Sequence, residues 1–115
     1  MPKLRSELLE QYIPVARREV VKAARAHDFI EYGQVINRVG AGRGYIGQVL
    51  DELNRREYAK GRPLLSSIVV HRGSRNPGDG FWSLPMLPPF TSESARRAFL
   101  KAEQERVWAF DWPDG

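Results

Sequence analysis

The chain has 115 residues, a net charge of +4 and no cysteine. That length favours one domain, and the missing cysteine excludes a disulfide framework, a thiol nucleophile and a thiolate-bound zinc. With 42% hydrophobic residues, a core can form without metal or cross-link.

No apolar run approaches the ~20 residues of a membrane span. Met1-Pro2-Lys3-Leu4-Arg5 leads into the polar Ser6-Glu7 rather than into a signal-peptide core. A cytoplasmic protein with no membrane association is the expectation.

Residues 3–27 read as helix, with Leu8, Tyr12, Ala16, Val20 and Ala23 or Ala24 on one face. Pro14 removes a backbone donor and crowds the preceding turn, so a break is expected there, with a longer helix from Pro14 to His27. Asp28 to Gly33 reads as a short extended link. A brief helix follows, with Val35, Ile36 and Val39 as its buried side. Three glycines among Gly40-Ala41-Gly42-Arg43-Gly44 predict a sharp turn with a positive φ.

Tyr45 to Ala59 is the clearest helix, striped by Ile46, Val49, Leu50 and Leu53 and stopped by Gly61 and Pro63. The run Leu64 to His71 suits a strand. Arg72 to Gly80 has the residues of a long turn, with Arg72 and Arg75 exposed and mobile at its tip. Phe81 to Leu84 reads as the returning strand, which makes 64–84 a hairpin. Pro85, Pro88 and Pro89 mark a rigid linker. Thr91 or Ser92 caps a last helix whose expected apolar face is Ala95, Ala98, Phe99 and Ala102. Trp108, Phe110 and Trp112 close the chain. They are expected to fold back near Leu8, Leu9 and Tyr12, or to meet a protein partner or a second copy.

The order is helix, helix, turn, helix, hairpin. The expected class is therefore α+β, a winged helix-turn-helix over residues 1–90, with the C-terminal helix and tail of 91–115 packed on the same domain. Between Arg38 and Arg75 stand eight basic residues against three acids, an excess of five that is larger than the chain's net +4. In a helix-turn-helix the residues opening the second helix meet base edges. Arginine matches phosphate and guanine, and Asn or Gln can read adenine. The expected contacts with double-stranded DNA are Asn37, Arg38, Arg43, Gly44, Tyr45, Gln48 and Arg55, with Arg72, Arg75 and Asn76 beside His71 at the wing. The rival reading is a protein-interaction module on the same scaffold.

Residues 29–50, from Phe29-Ile30-Glu31-Tyr32-Gly33 through Arg43 to Ile46-Gly47-Gln48-Val49-Leu50, resemble the DNA-binding half of the O6-alkylguanine DNA alkyltransferases and alkyltransferase-like proteins. Tyr32-Gly33 is similar to that family's entry to its short helix. Arg43 falls near its intercalating arginine, one residue further from the glycine. Where the family has Pro-Cys-His-Arg-Val-Val, this chain has Pro63-Leu64-Leu65-Ser66-Ser67-Ile68-Val69-Val70-His71. The alkyl-accepting cysteine is absent and its His-Arg partner is out of register. The resemblance thus implies a winged helix and DNA binding, and argues against alkyl transfer.

Enzymatic chemistry finds little purchase. Tyr45-Ile46-Gly47 matches a tripeptide of GIY-YIG nucleases, but its helical apolar spacing explains the same residues. Asp51, Glu57 and Lys60 look like a solvated ion-pair face. His27 and His71 lie in no ligand-spaced cluster, and Ser66 and Ser67 have no nearby base. No catalytic residue, metal or cofactor is expected.

Overall fold

The computed structural model describes residues 5–114, so the first four positions and the last of the ranges above lie outside it. Helix α1 spans Ser6–Arg25 without a break. Pro14 is exposed and costs the helix one hydrogen bond. Ile13, Ala16, Val20, Val21 and Ala24 are buried on both sides of it, and their packing carries the helix through. The expected break is therefore corrected. Two residues past its end stands His27, the one described non-glycine residue with positive φ (55°). There the Asp28 amide returns to the Ala23 carbonyl at 3.0 Å.

Strand β1 (Ile30–Glu31) leads directly into α2 (Tyr32–Val39). Glu31 closes a capping box: its carboxylate accepts from the Gln34 amide, and the Gln34 side chain accepts from the Glu31 amide. Gly40, at φ 82°, ends α2. After the turn comes α3 (Ile46–Ala59), buried through Ile46, Val49, Leu50 and Leu53. Helices α2 and α3 both pack on α1, giving the three-helix core expected from the sequence.

The region 64–84 departs from expectation. Leu65–Ile68 form a 3₁₀ turn and only Val69–Val70 pair as a strand, β2. Phe81 and Trp82 lie in a short helix, α4 (Asp79–Trp82). The partner of β2 is β1, in parallel, with Ile30 opposite Val69 and Glu31 opposite Val70. The class is α+β, but the hairpin is not formed and no wing follows from it. The physical reason is burial on all sides. Every residue from Leu64 to Val70 is buried, and an apolar run without alternation does not distinguish a strand from a tight turn.

That segment is held by side chains. The Asn54 amide donates to the Ser66 hydroxyl, and its oxygen accepts from the Ser66 amide at 3.1 Å. Glu103 accepts from the Leu64 amide at 2.8 Å, and Gln104 donates to the Ser67 carbonyl at 3.0 Å. Both sit on the last helix, α5 (Glu93–Ala109), which Ser92 caps through the Ala95 amide at 3.1 Å. The buried face of α5 is Leu100, Glu103, Gln104 and Val107, whereas Ala95, Ala98 and Ala102 are exposed. The alanine face is thus corrected. Alanine has little area to bury, and the buried polar pair has specific backbone groups to satisfy.

The tail does fold back, but against the C-terminal half of α1 rather than near Leu8. Arg25 donates to the Trp112 carbonyl at 2.7 Å and Arg17 to the Pro113 carbonyl at 2.9 Å. Trp112 is 3% exposed and donates to the Val107 carbonyl at 2.8 Å. It is spent on the chain's own core and is not free for a partner. Half-buried Trp108 donates to the Asp28 carbonyl at 3.0 Å and sets its ring edge-on to Phe29.

Two outcomes follow. Asn54→Ala leaves the Ser66 amide and hydroxyl buried without partners, and should destabilise the fold by about 2–4 kcal/mol. Urea unfolding should show the lower midpoint at an unchanged m-value. His27→Gly relieves the left-handed backbone at an exposed position, and should stabilise by about 0.5–1 kcal/mol as a rise in Tm.

Candidate nucleic-acid interface

The parallel pairing decides what meets what. The carboxyl ends of β1 and β2 lie side by side, so the start of α2 and the segment after Val70 become neighbours. Between them opens a cleft of about 560 Å³. Glu31 lines it from the end of β1, Tyr32, Gln34 and Asn37 from α2, Arg43 from the glycine turn, and His71 and Arg72 from the loop after β2.

That loop is tied to the rest of the fold by hydrogen bonds, while Arg72 and Arg75 are exposed on it. The Gly73 amide donates to Glu31 at 3.3 Å and the Gly78 amide to the Tyr32 hydroxyl at 2.9 Å. Gln104 holds the Arg75 carbonyl at 3.0 Å. Within the loop, the His71 amide donates to the Asn76 carbonyl at 3.2 Å and the Ser74 amide to the His71 carbonyl at 3.0 Å. The His71 ring lies against Tyr32, with centroids 5.3 Å apart. A Cβ at position 78 would come within 3.2 Å of His71 Nε2 and 3.3 Å of the Tyr32 oxygen, so a side chain there would push these two rings by a few tenths of an ångström.

The expected contact residues divide sharply by charge partner. Arg38 is paired with Glu19 at 3.1 Å, and Arg55 is bound to Glu52. Arg56 bridges Glu10 and Glu52, and Arg62 pairs with Glu57 at 2.9 Å. Partial desolvation raises the Glu52 carboxyl, but the hydrogen bonds from Arg55 and Arg56 outweigh it and hold it below the usual carboxylate range. The same competition, won by Arg38 and Lys22, lowers Glu19. In contrast, Arg43, Arg72 and Arg75 are exposed and have no acidic partner among the described residues. The unpaired part of the central charge therefore stands at the turn, on the loop after β2 and at Lys60, which ends α3.

The remaining expected residues are scattered around this centre. Asn37 is exposed and lines the cleft, and Gly44 is exposed in the turn. Tyr45 and Gln48 are half-buried at the start of α3, outside the cleft lining. Asn76 is exposed in the loop, and its backbone carbonyl accepts from the His71 amide. Gln34 and Tyr32 join the site without having been expected. The Glu31–Gln34 capping pattern was their available signal, since it places the start of α2. On α3, Gly47, Asp51 and Tyr58 are exposed beside the Arg55–Glu52 pair.

Among the described residues no group of His, Asp or Glu could hold a metal ion, and no helix is long and apolar enough to cross a membrane. No protein-family model, curated protein or solved structure matches the chain.

Burial pushes the Tyr32 phenol above its ordinary pKa; the Asp51 charge adds to this and the Gly78 amide opposes it. The neutral phenol is thus favoured in the folded state. Its contribution is fully present below the unfolded pKa of ~10 and is lost as pH rises through the higher folded value. Stability should fall as pH climbs above ~10, and Tyr32→Phe should flatten that decline in urea unfolding across the alkaline range.

Proposed function

We propose that this chain is a non-catalytic DNA-binding protein that grips the duplex backbone at the cleft between the α2–α3 turn and the loop after β2, in a regulatory or DNA-masking role. One observation carries the reading. Arg43 and Arg72 come from distant parts of the sequence, line one open cleft with Asn37, and form no ion pair, whereas Arg38, Arg55, Arg56 and Arg62 do; the one carboxylate lining the cleft, Glu31, accepts from the Gln34 and Gly73 amides. Guanidinium groups left free beside amide side chains suit phosphate oxygens and base edges. The pinned loop holds its arginine in place before contact, which lowers the ordering cost of binding. The helix-turn-helix arrangement of α2 and α3, and the likeness of residues 29–50 to the alkyltransferase DNA-binding half, support the same reading.

A second reading has its own observation. Asp51 is exposed on α3, close enough to Tyr32 for its charge to raise that phenol's pKa, and has no cation paired to it among the described residues. A carboxylate there opposes insertion of α3 into a groove lined by phosphates, and suits a protein surface instead.

The two separate in a titration of labelled duplex DNA followed by anisotropy between 50 and 200 mM salt. Phosphate contacts predict a steep linear fall of log affinity with log salt. Arg43→Ala with Arg72→Ala should weaken binding to all sequences and flatten the slope by about two units, whereas Arg55→Ala should change little. Absence of binding at 50 mM salt would remove the DNA reading and leave the protein-interaction module.

A further inference from the structure

The cleft between the α2–α3 turn and the loop after β2 sets two arginines, Arg43 and Arg72, against one carboxylate, Glu31. It also carries one imidazole, His71, which the grip of the two arginines leaves without a task. Histidine is the side chain whose ordinary charge change falls between pH 5 and 8. Arginine stays charged throughout that window, and carboxylates ordinarily titrate below it.

The ring is in place before any ligand arrives. The His71 amide donates to the Asn76 carbonyl and its carbonyl accepts from the Ser74 amide, so its backbone is tied on both sides. The imidazole lies 5.3 Å from the Tyr32 ring, centroid to centroid, and against the backbone of Gly78. His71 is nevertheless exposed, and it forms no ion pair among the described residues. The charged and titratable groups around it come from every neighbouring element. Glu31 ends β1 and is taken up by the Gln34 and Gly73 amides. From α2 comes the Tyr32 phenol, and from the turn Arg43. Arg72 and Arg75 share the loop, Asp79 opens α4 one residue past Gly78, and Asp51 of α3 acts on Tyr32.

We propose that His71 is a proton-operated third cation of this cleft, so that its grip on nucleic-acid phosphate tightens as pH falls from 8 towards 5.5. The inference rests on the DNA-binding reading and specifies how that site is regulated. With a neutral imidazole, two arginines less one carboxylate leave the lining at +1; with an imidazolium it stands at +2. A phosphate in the cleft favours the imidazolium, so binding takes up a proton. Linkage is reciprocal, and affinity must then rise as protons become available. The arginines of α3 offer no such response, since their charge is fixed and already met by Glu52, Glu10 or Glu57.

The test titrates labelled duplex DNA by anisotropy at pH 5.5 and 8.0, between 50 and 200 mM salt. At 100 mM salt the parent should bind about three- to tenfold more tightly at pH 5.5, with a log affinity against log salt slope steeper by about one unit. Calorimetry near pH 6.5 in two buffers of different ionisation enthalpy should show net proton uptake on binding. His71→Gln should abolish the difference between the two pH values. His71→Lys, with a permanent charge, should show the steeper slope at both. His27→Gln, just past α1 and outside the cleft lining, should keep the parent's pH response. The inference is overturned, and the DNA reading left standing, by equal binding at both pH values, by a pH response that survives in His71→Gln, or by one that vanishes in His27→Gln. Absence of binding at 50 mM salt at both pH values overturns the two together.

Discussion

A segment buried on every side must have its backbone polar groups satisfied from within, and in this protein that segment is Leu64 to Val70. Water cannot reach it. Asn54 supplies the groups that Ser66 needs, Glu103 receives the Leu64 amide, and Gln104 holds the Ser67 carbonyl. Helices α3 and α5 are thereby fixed to the same few peptide groups, and their relative placement is specified rather than merely allowed. Apolar packing alone tolerates small slides between helices; directional bonds to one buried strand of backbone do not. The segment ends in β2, whose pairing with β1 then sets where His71 and Arg72 emerge.

Electrostatics is layered on that frame by elimination. A basic protein of this size carries more arginine than any site requires, and most of it is paired. Glu57, nearly without exposure, takes both Arg17 and Arg62. A buried carboxylate with two guanidinium partners is a device for registry between α1 and α3 more than for net stability, because the cost of desolvation offsets much of the attraction. Exposed pairs such as Arg55 with Glu52 contribute little to folding, yet they determine which arginines remain available to an anion. Selectivity for a ligand thus depends on where the acids are, as much as on where the arginines are.

The sequence made the three-helix core legible because its apolar residues recur with helical spacing and its stops are chemical: Gly40, Gly61 and Pro63 are strong local signals. Ser92 was legible as a cap for the same reason. The segment 64–84 was not. Its apolar run lacked the alternation that distinguishes a half-buried strand, so propensity alone suggested a hairpin, and the partner that β2 takes is far away in the chain. Helix α5 misled for a related reason. Its alanines mimic an apolar face, while the residues that face inward include Glu103 and Gln104, whose burial makes sense only once Leu64 and Ser67 are known to lie opposite. Of the expected contact residues, Arg43, Arg72 and Asn37 were brought together. Arg38 and Arg55 were set aside by Glu19 and Glu52, and ion pairing across helices leaves no mark on local sequence.

The parallel pairing of β1 with β2 carries a consequence for the order of events during folding. Parallel neighbours cannot be joined by a tight turn; here the crossover contains α2, the glycine turn and all of α3. The three helices can associate through near neighbours in the chain, but the cleft cannot exist until a long loop has closed and α5 has delivered its two polar side chains. The cleft is therefore complete only where Arg43 and Arg72, far apart in the chain, have been brought to one place, and the bond from Gln104 to the Arg75 carbonyl ties the loop that carries Arg72 to α5.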